Sequence, residues 1–432
     1  MSNAPGSASW WSRLPLYARI SIGMLLGVAA GLVFGPATKP LDIVAQLVLR
    51  VLGALAPALI LVAVVQAIMT AEVRGRVALR IGGLLLVNTT IAISIGLLVA
   101  NVMRPGSGAV LARPAHAPAV GGNVVAQLLD NVPDSLLRPF VENRVLGVVL
   151  IALAFGIASR GLSGARRQLA EDLVGLGFST ILTILSWVIA VVPLAVFGKV
   201  ASIIGSHGFQ PFVALGKFVL AVLLALLLQA AYYLTRVSLG SWVRPRALLR
   251  GTRDALVMAF STGSSTVTMP VTYERLQSGV GLRQQSASLG ALVGSNFNND
   301  GTALYEAMAA LFIAQLLGVE LSVGQQLLVV LTSIVASVGA AGIPEAGLVT
   351  MTLVFSAVKL PIEYIALLLT VDWFLDRCRT MINVLGDMTV ACLLDGRQPA
   401  AVEPSSGAAS SAARRHQDPE QEHEQVSQLN QE

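Results

Sequence analysis

Long apolar segments recur along the chain and predict membrane-spanning helices. Each has about twenty or more mostly apolar residues, the length of a helix that crosses a bilayer. They occupy residues 17–37, 42–70, 79–103, 145–160, 178–205 and 212–235. Glycines recur every fourth residue in the first segment, a spacing that predicts a face for close helix packing. They are Gly23, Gly27, Gly31 and Gly35. No secretory signal with a small-residue cleavage site precedes this segment, so we expect the chain to retain it.

The later half interrupts its apolar segments with small polar residues. Ser261–Pro270 and Gly339–Gly347 each break a segment whose two arms are too short to span the bilayer separately. Re-entrant helical hairpins are therefore predicted, because irregular backbone persists at membrane depth where protein or a water-filled cavity satisfies it. Between them, Gly294–Thr302 predicts an unwound helix whose carbonyls and carboxylate suit a hard cation such as sodium. Together these features favour a secondary transporter.

Near the end of the apolar region, Val371–Asp387 carries five ionisable groups in a predicted membrane helix. Each costs about 2.5–3.5 kcal/mol at the bilayer centre, so they must face one another, a ligand or water. At helical spacing, six polar residues fall within about 60° of one direction, and Arg377 lies off this stripe. The polar stripe comprises Asp372, Asp376, Arg379, Thr380, Asn383 and Asp387. We predict that this helix lines a polar site.

Composition supports an all-α polytopic membrane protein. Of the 432 residues, 55% are hydrophobic and 12% charged, and the mean hydropathy is +0.73. No soluble globular domain spreads its apolar residues so evenly. Cys378 and Cys392 offer neither a disulfide framework nor a metal-ligand spacing, and the four histidines lie in predicted loops or the tail. With no nucleophile–base motif either, we expect no enzyme and no cofactor beyond coupling ions.

Arginines predict the orientation in the membrane. They cluster before the first apolar segment and after the second, fourth and sixth, so the N-terminus is expected in the cytoplasm of a cell whose plasma or inner membrane holds the protein. The main cluster members are Arg13, Arg19, Arg74, Arg76, Arg80, Arg166, Arg167, Arg244, Arg246, Arg250 and Arg253. The pI near 9.5 reflects these loops rather than nucleic-acid binding. Residues 395–432 lack apolar periodicity and predict a disordered cytoplasmic tail.

Residues 15–394 resemble the glutamate transporter family, the dicarboxylate/amino acid:cation symporters. Asn298–Glu306 resembles the family's Asn-Met-Asp-Gly-Thr signature, Ala340–Pro344 its second hairpin tip, and Ser264–Thr266 its serine-rich first tip. The stretches Trp373–Arg377 and Asn383–Asp387 look closest to excitatory amino acid transporters. The resemblance implies a homotrimer of subunits with eight transmembrane helices and two re-entrant hairpins, in which a transport domain moves like an elevator against a scaffold.

Domain boundaries follow from that resemblance. The scaffold is implied to contain helices one, two, four and five, and the transport domain helices three and six to eight with both hairpins. The segments are 1–16, a cytoplasmic N-terminus; 17–76, scaffold helices one and two; 77–103, the third helix; 104–210, an external loop with scaffold helices four and five; 211–394, the rest of the transport domain; and 395–432, the tail.

The resemblance also implies roles for individual residues. Arg379 matches the arginine that holds a substrate side-chain carboxylate, and Asp376 the carboxylate that pairs with its ammonium group. The other implied substrate ligands are Ser265, Thr302, Ile343, Gly347, Thr380 and Asn383. Two sodium sites are implied, one by Gly294, Asn298, Asn383 and Asp387, the other by Thr89, Thr90, Asn298 and Asp300. Asp376 and Arg379 could also form a structural ion pair.

Several positions depart from the family pattern. Asn299 replaces the signature methionine, and Asn296 replaces a threonine near a further sodium site, which puts that site in doubt. Leu86 replaces a tyrosine near the deepest sodium. Glu306 matches the proton carrier of proton-coupled members, and Arg377 matches an arginine of the animal proteins. We therefore expect a symporter of aspartate or glutamate with suspected proton coupling; the alternatives are a C4-dicarboxylate symporter and an anion-conducting member.

Overall fold

The structure is a computed structural model that describes residues 14, 16–70, 75–107, 133–142, 145–339 and 346–398. Helices fill most of these ranges, and no strand occurs within them. The first seven are α1 (Leu16–Phe34), α2 (Asp42–Thr70), α3 (Gly75–Met103), α4 (Arg138–Val141), α5 (Val145–Ser159), α6 (Gly164–His207) and α7 (Gln210–Gly240). The others are α8 (Pro245–Gly251), α9 (Arg253–Thr262), α10 (Ser265–Arg275), α11 (Gln284–Ser288), α12 (Gly294–Phe297), α13 (Asp300–Leu316), α14 (Val323–Gly339), α15 (Ala346–Ala357) and α16 (Ile365–Asp395).

Four helical stretches in the described ranges are long and apolar enough to cross a membrane. They are Ala18–Met69, Leu79–Met103, Gly164–His207 and Gln210–Gly240. The first contains both α1 and α2, so these stretches account for five of the six apolar segments predicted from the sequence. The remaining apolar segment, 145–160, forms the shorter helix α5. The all-helical membrane class is therefore confirmed, whereas eight spans remain a prediction.

Helix α6 begins at Gly164, well before the predicted start at residue 178. Its first turns are polar, and paired side chains stabilise them. Arg167 Nε lies 2.8 Å from Glu171 Oε1, and Gln168 Nε2 donates to Asp172 Oδ1 over 2.9 Å. Residues four apart lie on one helix face, so such pairs extend a helix beyond its apolar segment. A search for apolar residues alone misses this extension.

The glycines of α1 allow close packing against α6. A Cβ atom added at Gly27 would lie 2.7 Å from the carbonyl oxygen of Phe197, and one at Gly31 would lie 2.7 Å from Ile204 Cβ. A Cβ at Gly23 would meet the carbonyl of Pro193. Gly35 differs, since it has a φ of +54°, begins a 3₁₀ helix (Gly35–Leu41), and faces open space at its own Cβ position. Three of the four glycines therefore form the predicted packing face.

Helix packing divides the described chain into two groups. Helices α1, α2 and α5 pack on α6 or on one another, and α3, α7, α9, α13 and α16 pack together. Helices α10, α12, α14 and α15 pack on α9, α13 or α16 and so belong to the second group. Helix α13 is buried over nearly its whole length, so it lies at the centre of the second group. Helix α15 touches α2, and α16 touches α6, so the two groups share an interface.

Two breaks interrupt the described helices of the second group. At the first, Gly263 adopts a φ of +64° and Ser264 caps α10 by accepting a hydrogen bond from the Val267 amide over 3.2 Å. The second separates α12 from α13 at Asn298 and Asn299. Residues 340–345, between α14 and α15, lie outside the described residues, so the predicted second hairpin tip stays a prediction. Helix–turn–helix geometry is thus present at the first predicted hairpin, and its depth in a membrane remains a prediction.

We predict that Gly27→Ala destabilises the protein, because the new methyl group would press on the backbone oxygen of Phe197. Overpacking of this kind costs about 1–3 kcal/mol. Thermal unfolding of the purified variant, followed by size-exclusion chromatography after heating, should show a lower midpoint than the wild type. Gly83→Ala is the matched control, since nothing lies within 4 Å of its added Cβ. An unchanged midpoint for Gly27→Ala would contradict the α1–α6 contact.

Candidate functional site

The polar stripe of α16 faces the protein interior. All six of its residues are buried, in agreement with the helical spacing: Asp372, Asp376, Arg379, Thr380, Asn383 and Asp387. Arg377, off the stripe, is half-buried. Because ionisable groups are costly away from water, each must find a partner inside the second helix group.

Arg379 is the centre of this stripe. It is 0% exposed, and its guanidinium lies between two carboxylates of its own helix. Its Nη1 atom is 3.0 Å from Asp372 Oδ1, and its Nη2 atom is 2.8 Å from Asp376 Oδ1. The ring of Tyr305 from α13 lies beneath it, 4.0 Å from the guanidinium carbon to the ring centroid. A cation–π contact and two carboxylates thus compensate the buried positive charge.

Two glycines at helix ends reach this arginine and its partner. A Cβ added at Gly263, in the turn before α10, would lie 3.1 Å from Asp376 Oδ2. At the start of α15, a Cβ on Gly347 would lie 3.4 Å from both terminal nitrogens of Arg379 and 3.3 Å from Thr302 Cγ2. Both glycines therefore let backbone approach the charged groups closely. We call this buried polar cluster, which α9–α10, α13, α15 and α16 surround, the chamber.

Asn383 ties the unwound segment to α16. Its Oδ1 atom accepts a hydrogen bond from the Gly301 amide over 2.7 Å, and its Nδ2 atom is 3.4 Å from Thr302 Oγ1. The same nitrogen is 3.4 Å from Asn299 Oδ1. The Asn299 amide group also donates to the Ser337 carbonyl of α14 over 2.9 Å. The asparagine in the methionine position therefore has polar partners on two helices.

Two further buried carboxylates, those of Asp300 and Asp387, lie near Asn298 and Asn383. Asp300 accepts from Thr89 Oγ1 over 2.6 Å and also from the Tyr233 hydroxyl. Asp387 Oδ1 accepts from Asn298 Nδ2 over 2.9 Å, and the Cα of Gly294 packs against this carboxylate. Asn298 Oδ1 is buried without a hydrogen-bond partner among the described residues. A buried oxygen acceptor on the residue that binds Asp387 has the chemistry that a hard cation needs.

Glu306 lies one helical turn beyond Thr302, fully buried in α13. It accepts a hydrogen bond from the Thr350 hydroxyl of α15, and the second carboxylate oxygen, Oε2, has no hydrogen-bond partner in the described ranges. Thr350 Oγ1 is also 3.3 Å from the carbonyl of Gly347. A proton on Glu306 would therefore change its hydrogen bond to Thr350 and, through Thr350, affect the first turn of α15.

Other sequence-predicted site residues are placed less centrally. Ser265 Oγ donates to the Ser295 carbonyl over 3.1 Å, and Thr380 Oγ1 donates to the Asp376 carbonyl over 2.8 Å. Thr90 Oγ1 donates to the Leu86 carbonyl over 2.7 Å in its own helix, and it makes no hydrogen bond to Asp300. Arg377 Nη1 donates to the Trp373 carbonyl over 2.5 Å. Ile343 lies outside the described residues.

Sequence reasoning gave no role to four residues that the structure places in the site. Asp372 lies on the predicted stripe, so its spacing was a usable signal. Tyr233 and Tyr305 are fully buried phenols within helices, and buried tyrosine hydroxyls usually need a partner. Thr350 carried no recognisable signal, because its contact with Glu306 depends on how α15 packs against α13.

Known proteins are similar in sequence to this chain. A model of the sodium:dicarboxylate symporter family matches residues 16–397. Excitatory amino acid transporter 4 of Mus musculus is 39% identical over 256 residues, which are 58% of this chain and 45% of that protein. The C4-dicarboxylate transport protein of Bordetella avium is 30% identical over 395 residues, 88% of each chain. That of Deinococcus radiodurans is 30% identical over 407 residues, 90% of each chain.

The match therefore spans less than half of the mouse protein but nearly all of the two bacterial ones. The family match covers α1 to the end of α16 and includes every residue of the buried chamber. The chain belongs to the sodium:dicarboxylate symporter family.

Proposed function

We propose that this protein is a secondary active symporter of acidic amino acids, aspartate or glutamate, coupled to cations. The observation that carries the proposal is the buried Arg379, held between Asp372 and Asp376 in a polar cluster that Gly263 and Gly347 border. An arginine fork binds a carboxylate in bidentate fashion. An aspartate carboxylate beside it provides the complementary partner for an ammonium group.

Substrate binding is proposed to exchange ion-pair partners. A substrate side-chain carboxylate would replace Asp376 at Arg379, and Asp376 would then pair with the substrate ammonium. Asp376 is suited to this exchange because its Oδ2 faces the Gly263 turn while its Oδ1 contacts Arg379. Asp372 would keep the guanidinium in place during the exchange. Arg379, Asp376 and the substrate ammonium would each keep a charged partner, and a buried charge without one costs about 3–5 kcal/mol. The substrate α-carboxylate would be held by uncharged groups, Asn383 and Ser265.

A C4-dicarboxylate symporter is the second candidate, and the long matches to two bacterial C4-dicarboxylate transport proteins favour it. The charges of the chamber favour the amino acid. With both aspartates ionised, Arg379 is already outnumbered by carboxylates. A dicarboxylate would add two negative charges and leave Asp376 without a cationic partner. An acidic amino acid also has two carboxylates, but its ammonium group offsets one of them and can pair with Asp376.

Coupling is proposed to use protons at Glu306 together with sodium. Glu306 has the burial of a group that can carry a proton across an apolar barrier, and its hydrogen bond to Thr350 links it to α15. Asn298, Asp300 and Asp387 supply oxygens to the proposed sodium sites, with hydroxyl donors already on Asp300. Thr90 would have to change rotamer to act as a ligand.

The two packing groups support a two-domain mechanism. Helices α1, α2, α5 and α6 would form the scaffold of a homotrimer, and α3 together with α7 to α16 would form the moving transport domain. The polar chamber lies within the second group, so an elevator-like movement could carry the substrate without breaking its contacts. The shared interface, where α15 meets α2, would have to slide.

Arg379→Ala should abolish aspartate uptake in proteoliposomes, because the substrate carboxylate would lose its bidentate partner. A loss of about 3–5 kcal/mol corresponds to more than two orders of magnitude in affinity. Arg379→Lys keeps the charge without the planar fork and should recover part of the binding. Arg166→Ala, at an exposed position of α6, is the control for surface charge. A near-normal Michaelis constant in Arg379→Ala would contradict the assignment.

Asp376→Asn should weaken aspartate binding far more than succinate binding, because succinate has no ammonium group for this carboxylate. Competition against labelled substrate in the same vesicles measures the ratio directly. Asp372→Asn is the matched variant: it removes the other partner of Arg379 and should affect both substrates alike. A wild-type protein that prefers succinate or malate to aspartate would promote the dicarboxylate candidate instead.

Glu306→Gln should remove proton-driven accumulation of aspartate while leaving substrate exchange intact. The glutamine keeps the size and one acceptor for Thr350 but cannot carry a proton. The measurement compares net uptake driven by an inward proton gradient with exchange against internal aspartate, both in sodium-free vesicles. If both rates fall together, Glu306 is needed for substrate binding or folding rather than for coupling. If neither changes, protons enter elsewhere.

A further inference from the structure

A basic surface surrounds the end of α16. Arg244, Arg246 and Arg250, in and beside the short helix α8, are exposed, and no acidic side chain in the described part of the chain pairs with them. Arg253 and Arg397 are also exposed. Arg253 Nε lies 3.8 Å from Asp254 Oδ1, and the same carboxylate binds Arg275 over 3.0 Å. We call Arg244, Arg246, Arg250, Arg253, Arg283 and Arg397 the basic surface.

Several hydrogen bonds fix the last described residues against this surface. Trp242 donates its backbone amide to the Gly396 carbonyl over 3.0 Å and its indole nitrogen to Asp395 Oδ2 over 2.7 Å. Arg283 donates from Nη1 to the Asp395 carbonyl over 2.9 Å and from Nη2 to the Gln398 carbonyl over 3.1 Å. The chain therefore leaves α16 beside these arginines, whichever way the protein is oriented in the membrane.

The following segment has the opposite charge. Residues 399–432 contain six acidic residues against Arg414 and Arg415. Within 416–432 there are five acidic residues and no lysine or arginine: Asp418, Glu420, Glu422, Glu424 and Glu432. The residues between Gln398 and Asp418 can reach about 65 Å when extended. The acidic stretch can thus contact any part of the basic surface.

We propose that residues 416–432 dock on the basic surface as an intramolecular, electrostatic contact. Charge complementarity and the fixed exit of the chain beside the surface favour this occupant. Each exposed ion pair contributes at most about 1 kcal/mol, so one pair would not hold the segment. Several pairs act together here, and a tether of this length supplies an effective concentration near the millimolar range. Added salt should weaken the contact because exposed charges are screened.

The test uses a protein truncated after Gln398 and a fluorescent peptide of residues 416–432. Fluorescence anisotropy in a zwitterionic detergent should show binding to the truncated protein that weakens as sodium chloride is raised. Full-length protein should bind the peptide more weakly, because its own segment competes. Truncated protein carrying Arg244→Gln, Arg246→Gln and Arg250→Gln should bind the peptide with an affinity about tenfold lower. Arg160→Gln with Arg166→Gln is the matched control on another basic connection.

Three results would overturn the proposal. The first is no binding of the peptide to the truncated protein. The second is equal binding by a peptide in which the five acidic residues are replaced by their amides. The third is that the truncated protein binds phosphatidylglycerol vesicles through these arginines while the peptide does not compete, which would make the basic surface a lipid-headgroup site. Size-exclusion profiles of the arginine variants show whether they remain folded.

Discussion

The buried guanidinium of Arg379 is the constraint on which the site depends. A single cation inside an apolar helix bundle is costly, so the chain surrounds it with Asp372, Asp376 and the ring of Tyr305. These partners come from two helices and keep the charge desolvated but compensated. The same arrangement that stabilises the empty protein leaves one carboxylate, Asp376, available to change partners. Stability and the proposed recognition of an acidic amino acid thereby involve the same ion pairs.

Glycines at helix ends make room for this charge and its partner. Gly263 and Gly347 bring backbone to Asp376 and Arg379, and a side chain at either position would occupy the space beside the charged groups. The break at Asn298 and Asn299 releases the Gly301 amide to Asn383, and it leaves Asn298 Oδ1 as a buried acceptor. Continuous helices would satisfy these backbone groups internally and leave no chamber.

Much of this organisation could be predicted from sequence, because apolar length and helical spacing report burial directly. The stripe of α16 and the break at Gly263 are examples. The polar extension of α6 was missed, since paired charges rather than apolar residues stabilise it. Thr350 and Tyr233 could not be placed, because their contacts with Glu306 and Asp300 depend on packing between helices distant in sequence. The family resemblance, rather than spacing, supplied the roles of Arg379 and Glu306.

Uptake of labelled aspartate into proteoliposomes, with sodium and proton gradients imposed separately, tests proton-coupled symport most directly. The purified protein should accumulate aspartate against its concentration gradient when an inward proton gradient is imposed without sodium. Unlabelled aspartate should compete better than succinate. Accumulation that requires sodium absolutely and ignores the pH gradient would contradict the proposed coupling. Uptake that only equilibrates aspartate, under either gradient, would contradict secondary active symport itself.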